Sequence, residues 1–147
     1  VAAKQMMQLN KVGEKLGAVK GVNAMTDVTG FGLLGHLVEM AEGSGLSAVI
    51  DFENVPLITS DLKYYVDANC VPGGTNKNWD SYGDKIGAIN DYQKAILADP
   101  QTSGGLLIAV EDNSVEEVQK ILIEEGVEFL KPIGRFIKEE EKIVIIQ

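Results

Sequence analysis

The chain has 147 residues, the length of one domain, and is long enough to bury a hydrophobic core. Apolar residues make up 45% and charged residues 24%, which excludes wholesale disorder, and no apolar run is long enough to span a membrane. The formal charge of −9 at pH 7 argues against a nucleic-acid-binding surface, because no basic stripe is present to contact phosphates.

Hydrophobic periodicity and glycine or proline stops predict alternating helices and strands in a single α/β domain. The predicted elements are helix 6–16, strand 22–28, helix 32–42, strand 47–52, helices 62–68 and 91–98, strand 106–110, helix 115–125, and strands 130–137 and 142–146. Ser114 and Glu117 predict a capping box at the last helix. The two final strands are predicted to form an antiparallel hairpin at the sheet edge, and the apolar run 106–110 a strand buried on both faces.

A polar and glycine-rich stretch, residues 24–36, lies between the first strand and the second helix. A helix start attracts anions, and a Cβ-free backbone at Gly30 and Gly32 would let a phosphate approach. Asp27 would repel a bare phosphate but suits a Mg²⁺ ion that bridges carboxylate and phosphate. We therefore expect a Mg-phosphate corner with Asp27 as metal ligand and Thr29 nearby. The alternative is that Asp27 or Thr29 merely caps the helix.

The same stretch satisfies a competing motif. Gly30, Gly32 and Gly35 form G-x-G-x-x-G, and the next predicted strand is followed by Asp51, as in a dinucleotide-binding unit. The strand before such a motif should be apolar up to its first glycine, whereas Thr26, Asp27 and Thr29 interrupt this one. The dinucleotide alternative stays open on the residues alone.

Two further segments carry glycines with polar side chains. Residues 72–78 predict a polar loop that Trp79 and Tyr82 anchor to the core, and residues 99–105 form a second loop held by the strand that follows. Backbone N–H groups and hydroxyls in these loops are candidate phosphate or metal-water contacts. The candidate lining residues are Gly73, Gly74, Thr75, Asn78, Asp99, Thr102, Ser103, Gly104 and Gly105.

The only histidine and the only cysteine are not assigned a chemical role. His36 falls on the polar stripe of the second helix with Glu39, and we expect it to be exposed and inert. Cys70 lies in a loop without a basic neighbour that would activate its thiol. Because one cysteine cannot form an intrachain disulfide, the composition fits a reducing cytoplasm.

Taken together, the segments 25–36, 71–78 and 99–106, with the Met-x-x-Leu-Asn pattern at 6–10, resemble the carboxy-terminal half of the selenophosphate synthetase (selenide, water dikinase) family. That family belongs to the aminoimidazole-ribonucleotide-synthetase-like superfamily, and the likeness covers nearly the whole chain. It implies an α/β (α+β) fold with a mixed, largely antiparallel sheet covered by helices. It also implies an enzyme that converts ATP, selenide and water to selenophosphate, AMP and phosphate.

The resemblance implies further properties of the site and partners. The family's Mg²⁺-binding carboxylate falls on Asp27, whereas its nucleophile, a lysine and most ATP contacts lie in an amino-terminal half that this sequence does not include. Cys70 does not match the family's nucleophile, so no catalytic residue is assigned here. We expect residues 1–147 to be one domain of a longer, cytoplasmic, homodimeric two-domain enzyme, inactive when isolated. The alternatives are a related purine or thiamine-phosphate enzyme, or a non-catalytic interaction domain.

Overall fold

The computed structural model describes all residues, 1–147. Seven helices are present, and they are α1 (Ala2–Met6), α2 (Val12–Leu16), α3 (Gly32–Ser44), α4 (Leu62–Asp67), α5 (Gly73–Tyr82), α6 (Asp91–Leu97) and α7 (Val115–Glu124). Five strands are present, and they are β1 (Val22–Asp27), β2 (Leu46–Ile50), β3 (Leu106–Val110), β4 (Gly134–Lys138) and β5 (Val144–Ile146). Short 3-10 turns follow β2, α5 and β3. The mixed α/β class and the largely antiparallel pairing agree with the sequence-based prediction.

The strands form two sheets. β1 and β3 pair antiparallel, with Asp27 opposite Leu106 at one end and Val22 opposite Val110 at the other. β2 is the centre of a three-stranded sheet, with β4 antiparallel on one side and β5 parallel on the other. The predicted hairpin of the last two strands is therefore wrong, because β2 lies between them. Their connection crosses the end of β2, where the Glu140 N–H donates to the buried Ser47 hydroxyl at 2.9 Å.

Helix α3 is the central packing element. It contacts strands of both sheets, and its buried side chains include Leu34, Leu37 and Val38. These three residues join Val28 and Leu107 of the first sheet region, and residues of β2 and β5, in one hydrophobic cluster. Gly45 ends the helix in the left-handed conformation, the usual helix stop. The sequence prediction of a helix buried by more than one layer is confirmed.

A smaller cluster lies between α2 and α7. Leu16, Val19 and Val118 are buried there against residues of β1 and β3. The predicted continuous helix 6–16 is wrong, since the chain leaves helical geometry between α1 and α2. Met7 and Leu9 are largely exposed, so no packing compensates the ordering of that segment into a longer helix.

Three further local predictions are corrected. Ser114 makes no capping bond, because its backbone is helical as the end of a 3-10 turn and its hydroxyl lies 3.2 Å from the Asn113 side-chain oxygen. The predicted loop at 72–78 is the first part of α5. Strand β3 has only Leu107 fully buried, because a two-stranded sheet covers less of each strand than the double-sided burial we expected. No helix is both long and apolar enough for a membrane span.

Candidate functional site

The three glycine-containing segments of the sequence meet at one end of the β1–β3 ladder. We call residues 27–32 the carboxylate corner and residues 99–105 the glycine loop. The Val28 N–H donates to the Gly105 carbonyl and the Gly104 N–H to the Val28 carbonyl, both at 2.9 Å. The Gln101 N–H donates to the Thr29 carbonyl at 3.0 Å. Backbone hydrogen bonds thus hold the loop against the corner.

Helix α5 joins the corner through two side chains. The buried Asn78 amide donates to the Gly30 carbonyl at 2.9 Å and to the Ala98 carbonyl at 3.0 Å. The Tyr82 hydroxyl donates to the Phe31 carbonyl at 2.7 Å, and burial raises the pKa of Tyr82 to about 12. Both N–H groups of the Asn78 amide are occupied in these bonds. Asn78, predicted to line a nucleotide, connects the carboxylate corner to the end of α6 by these two hydrogen bonds.

The glycines of the motif have different surroundings. Gly32 has φ +69°, and an added Cβ would lie 2.9 Å from the backbone of Ala98 and Asp99. Gly74, in the first turn of α5, would place a Cβ 2.9 Å from the Pro100 ring. Gly30 is exposed and has open space where a Cβ would stand. Gly32 and Gly74 therefore allow chain segments to pack closely, and Gly30 alone of these three leaves room for a ligand.

Asp27 is the last residue of β1 and is exposed. Its carboxylate makes no hydrogen bond or ion pair within the chain, although the Thr26 hydroxyl donates to its backbone carbonyl at 3.3 Å. No group of three or more His, Cys, Asp or Glu side chains in the chain could hold a metal ion. A cation at Asp27 would therefore need ligands beyond the carboxylate, imidazole and thiol groups of this chain.

A second carboxylate, Asp99, lies in the glycine loop and is half-buried. The Gln101 side-chain amide donates to it at 2.7 Å. Burial raises the pKa of the Asp99 carboxyl, and the nearby Thr75 and Gln101 side chains oppose that rise. The Thr75 hydroxyl is buried and makes no bond of normal hydrogen-bond geometry, so we treat its contact with Asp99 as a weaker polar interaction.

The remaining predicted lining residues differ in exposure. Gly73, Thr102 and Gly104 are exposed, whereas Ser103 and Gly105 are half-buried. Ser103 has φ +60°, an uncommon value for a residue with a side chain, and its hydroxyl donates to the Gln8 carbonyl at 3.3 Å. Strained loop conformations of this kind concentrate at functional sites. Contact between these residues and a nucleotide stays a prediction.

His36 contradicts its prediction. It is 8% exposed, and its Nε2 atom accepts the Thr29 backbone N–H at 3.0 Å. The predicted polar stripe is covered at this point because the Thr29 backbone contacts the Nε2 edge of the ring. Thr29 and His36 are seven residues apart, but Thr29 precedes the helix, so helical periodicity does not predict their contact. The Tyr82 bond to Phe31 and the Gln101 bond to Thr29 likewise join residues far apart in sequence, and sequence reasoning missed both.

Two alternatives from the sequence are wrong. Neither Asp27 nor Thr29 caps α3, which has no side-chain cap, because the Thr29 hydroxyl faces His36 Nε2 at 3.3 Å. The dinucleotide-binding unit would require β1 and β2 to be parallel members of one sheet. They belong to different sheets, and β1 pairs antiparallel with β3. Cys70 is exposed, and its thiol is free.

The fold and site define a mixed α/β domain in which two glycine-rich segments and a helix start meet beside one exposed carboxylate. A family model described as AIR synthase related protein, C-terminal domain, matches residues 1–147. The chain therefore belongs to the family of AIR synthase related C-terminal domains.

Curated relatives are similar over nearly the full chain. A protein named selenide, water dikinase from Pasteurella multocida is 48% identical over 147 residues, covering 99% of this chain and 41% of that protein. Proteins of the same name are 53% identical over 135 residues in Aeromonas hydrophila (92% and 39%) and 49% identical over 144 residues in Pseudomonas aeruginosa (98% and 41%). The chain thus spans about two fifths of the length of these relatives.

Proposed function

We propose that this chain is the carboxy-terminal domain of a selenide, water dikinase, an ATP-dependent selenophosphate synthetase. The reaction converts ATP, selenide and water to selenophosphate, AMP and phosphate. Identities of 48–53% to proteins of that name, over 92% or more of the chain, support the assignment. The AIR synthase related family supports a role inside a larger enzyme.

The observation that carries the role of this domain is the Asp27 carboxylate. It is exposed, has no partner in the chain, and stands at the end of a strand where the glycine loop and the carboxylate corner are hydrogen-bonded together. Aspartates with no internal partner at a rigid strand end are available to an external cation or ligand. Gly30, three residues on, leaves the neighbouring backbone open to a phosphate.

The residues present fit a Mg²⁺ ion as one part of its shell. Mg²⁺ prefers hard oxygen ligands and is commonly held by one or two carboxylates together with substrate phosphates and water. Asp27 supplies one such carboxylate, and the nucleotide and the remaining part of the enzyme would supply the rest. Bound there, Mg²⁺ would neutralise phosphate charge during phosphoryl transfer.

The chain's own residues then act by position. Asp27 and the open backbone at Gly30 face the ligand, while Asn78 and Gln101 keep the corner and the glycine loop together behind them. Thr29, Thr102, Ser103, Gly104 and Gly105 are further candidate contacts. The nucleophile and most ATP contacts belong, in this proposal, to the amino-terminal half of the same protein, which acts in the cytoplasm as a homodimer.

The test compares Asp27→Asn with Asp112→Asn in the full-length protein that contains this domain. Asp112 is exposed and follows the opposite end of the β1–β3 ladder, so it is a matched control. With Mg-ATP as substrate, ³¹P NMR measures the formation of AMP, phosphate and selenophosphate. We expect this reaction to depend on selenide. Asp27→Asn should slow it by on the order of 100-fold, since a charge at the transferring phosphates is lost, and Asp112→Asn should keep the wild-type rate.

Each contrary result identifies what fails. Wild-type turnover in Asp27→Asn would remove Asp27 from the mechanism. ATP consumption that does not depend on selenide, but is stimulated by a purine or thiamine-phosphate substrate, would identify the protein as a related purine or thiamine-phosphate enzyme. ATP left untouched under all these conditions would favour a non-catalytic interaction domain.

A further inference from the structure

His36, the only histidine, is buried against the backbone of the carboxylate corner. Its Nε2 atom accepts the Thr29 N–H at 3.0 Å and lies 3.3 Å from the Thr29 hydroxyl. An imidazole nitrogen accepts a hydrogen bond only when it carries no proton. The observed contact with the N–H donor therefore requires neutral His36 with its proton on Nδ1.

Thr29 is held from both sides. While its N–H donates to His36, its carbonyl accepts the Gly32 N–H and the Gln101 N–H, each at 3.0 Å. One residue thus links the start of α3, the glycine loop and the imidazole. Asp27 is two residues away along the backbone, so the direction in which the corner presents its carboxylate depends on how Thr29 is fixed.

One carboxylate lies within 4 Å of the imidazole. Glu39, on the same helix, places a carboxylate oxygen 3.7 Å from Nδ1, but its side chain is 69% exposed. The neighbours from β1 are the neutral Ala24 and Thr26, Met40 lies beside them on α3, and the Phe31 ring meets the imidazole edge-on at 6.1 Å. A solvent-screened Glu39 supports the Nδ1–H tautomer and contributes little binding energy.

We propose that His36 is a positioning residue: its neutral imidazole fixes the Thr29 amide and so orients the corner that carries Asp27, and protonation of the ring releases that amide. The effect on activity rests on the proposed function, whereas the effect on Thr29 does not. Protonated Nε2 becomes a donor facing the N–H donor of Thr29, so the two groups repel. The backbone of Thr29 is then held only through its carbonyl.

The direct test is NMR of the ¹⁵N-labelled chain. Long-range ¹⁵N–¹H spectra report the His36 tautomer, and the Thr29 amide signal is followed through the pH range in which the ring titrates. We expect the Nδ1–H tautomer at high pH and a Thr29 amide shift with the same midpoint as the ring. An Nε2–H tautomer, or a Thr29 signal that ignores ring titration, would overturn the proposal.

Variants separate positioning from simple packing. His36→Gln offers an oxygen acceptor that does not titrate, and His36→Leu fills similar space without an acceptor. We expect a pH-independent Thr29 amide in His36→Gln and at least about tenfold faster Thr29 hydrogen exchange in His36→Leu. Glu39→Gln, the control, should leave the Thr29 shift coupled to the ring. Equal Thr29 exchange in wild type and His36→Leu would contradict the proposal, and if the Leu variant does not fold, the Gln variant and the wild-type titration still decide.

Activity of the full-length protein adds an independent measurement. The wild-type rate should fall when the His36 imidazole becomes protonated, and His36→Gln, whose side chain does not titrate, should keep its rate under the same conditions. An unchanged pH profile in His36→Gln would overturn the link between the corner and the reaction. Failure of the Asp27 experiment combined with the expected Thr29 titration would reject the proposed function and leave the positioning role intact.

Discussion

At the scale of single residues, Gly32 owes its place to the chain itself. Its φ of +69° suits glycine, and the Ala98–Asp99 backbone occupies the space that a Cβ would need. The carbonyl of Ala98 is in turn bound by Asn78. The absence of a side chain at Gly32 therefore lets the chain before the glycine loop lie directly on the start of α3.

Gly32→Ala should reduce the free energy of unfolding strongly. Gly45→Ala is the matched control, because Gly45 has a similar φ of +64° but nothing within 4 Å of its added Cβ. We expect a loss of about 1–2 kcal/mol at Gly45 from the left-handed backbone alone. Gly32 should lose about 1–3 kcal/mol more from crowding, measured by urea denaturation. Equal losses at the two positions would show that the Ala98–Asp99 backbone moves away without cost.

The exposed position of Asp27 could be predicted from the sequence, and the burial of His36 could not. A polar residue that ends an apolar strand is exposed at its tip, and Asp27 follows that rule. His36 was assigned to a polar stripe because only helix periodicity is visible in sequence. Its burial depends on a backbone turn, 29–31, whose conformation is fixed by Gln101 and Asn78 from distant segments. No pattern within 24–36 encodes those bonds.

At the scale of elements, α5 connects the two glycine segments. Asn78 on its inner face spans the corner and the end of α6 with one amide, while Asn76 on the same helix is exposed. The Ala98 carbonyl is buried, so without the Asn78 amide it would keep the full cost of desolvation. The energetic role of Asn78 is therefore larger than that of two ordinary surface hydrogen bonds.

Asn78→Ala should lower the free energy of unfolding by about 1–3 kcal/mol, chiefly because the buried Ala98 carbonyl loses its donor. Asn76→Ala should be neutral or slightly stabilising, because alanine has the higher helix propensity and no bond is lost. Chemical denaturation of both variants, with helicity followed by circular dichroism, measures the difference. Equal stability of the two variants would show that the hydrogen bonds of Asn78 do not stabilise the fold.

Strand pairing shows the limit of prediction for elements. Periodicity located all five strands within a few residues, apart from the late start of β4, but it could not say which strands pair. The short charged segment 138–141 is typical of a hairpin turn. In this fold it belongs to the connection between β4 and β5, which lie on opposite sides of β2. The buried Ser47 hydroxyl accepts the Glu140 N–H and stabilises this connection. A serine inside an apolar strand does not predict that partner from the sequence.

For the whole molecule, α3 unites two sheets that do not hydrogen-bond to each other. Its apolar side chains bring Val28 and Leu107 of one region and Ile50 and Val144 of the other into a single cluster. The second cluster, around Leu16, lies between α2 and α7 and contacts the first sheet only. The carboxylate corner stands where β1 leads into α3, so its rigidity depends chiefly on the larger cluster.

Leu34→Ala and Leu16→Ala form a matched pair, because both leucines are fully buried and lose the same atoms. Each should cost about 2–5 kcal/mol of local stability. Hydrogen exchange measured by NMR should nevertheless differ. Leu34→Ala should reduce the protection of amides in both sheets, since α3 packs on both, and should raise exchange at Thr29.

Leu16→Ala should reduce protection mainly in α2, α7 and the β1–β3 sheet, and leave β2 and its partners near wild type. Local opening of this kind is expected where a satellite cluster is packed on one sheet. Equal loss of protection at every strand in Leu16→Ala would mean that the two clusters open as one cooperative unit. The carboxylate corner would then depend as much on the α2–α7 contact as on α3, and substitutions far from Asp27 on that side would alter the site.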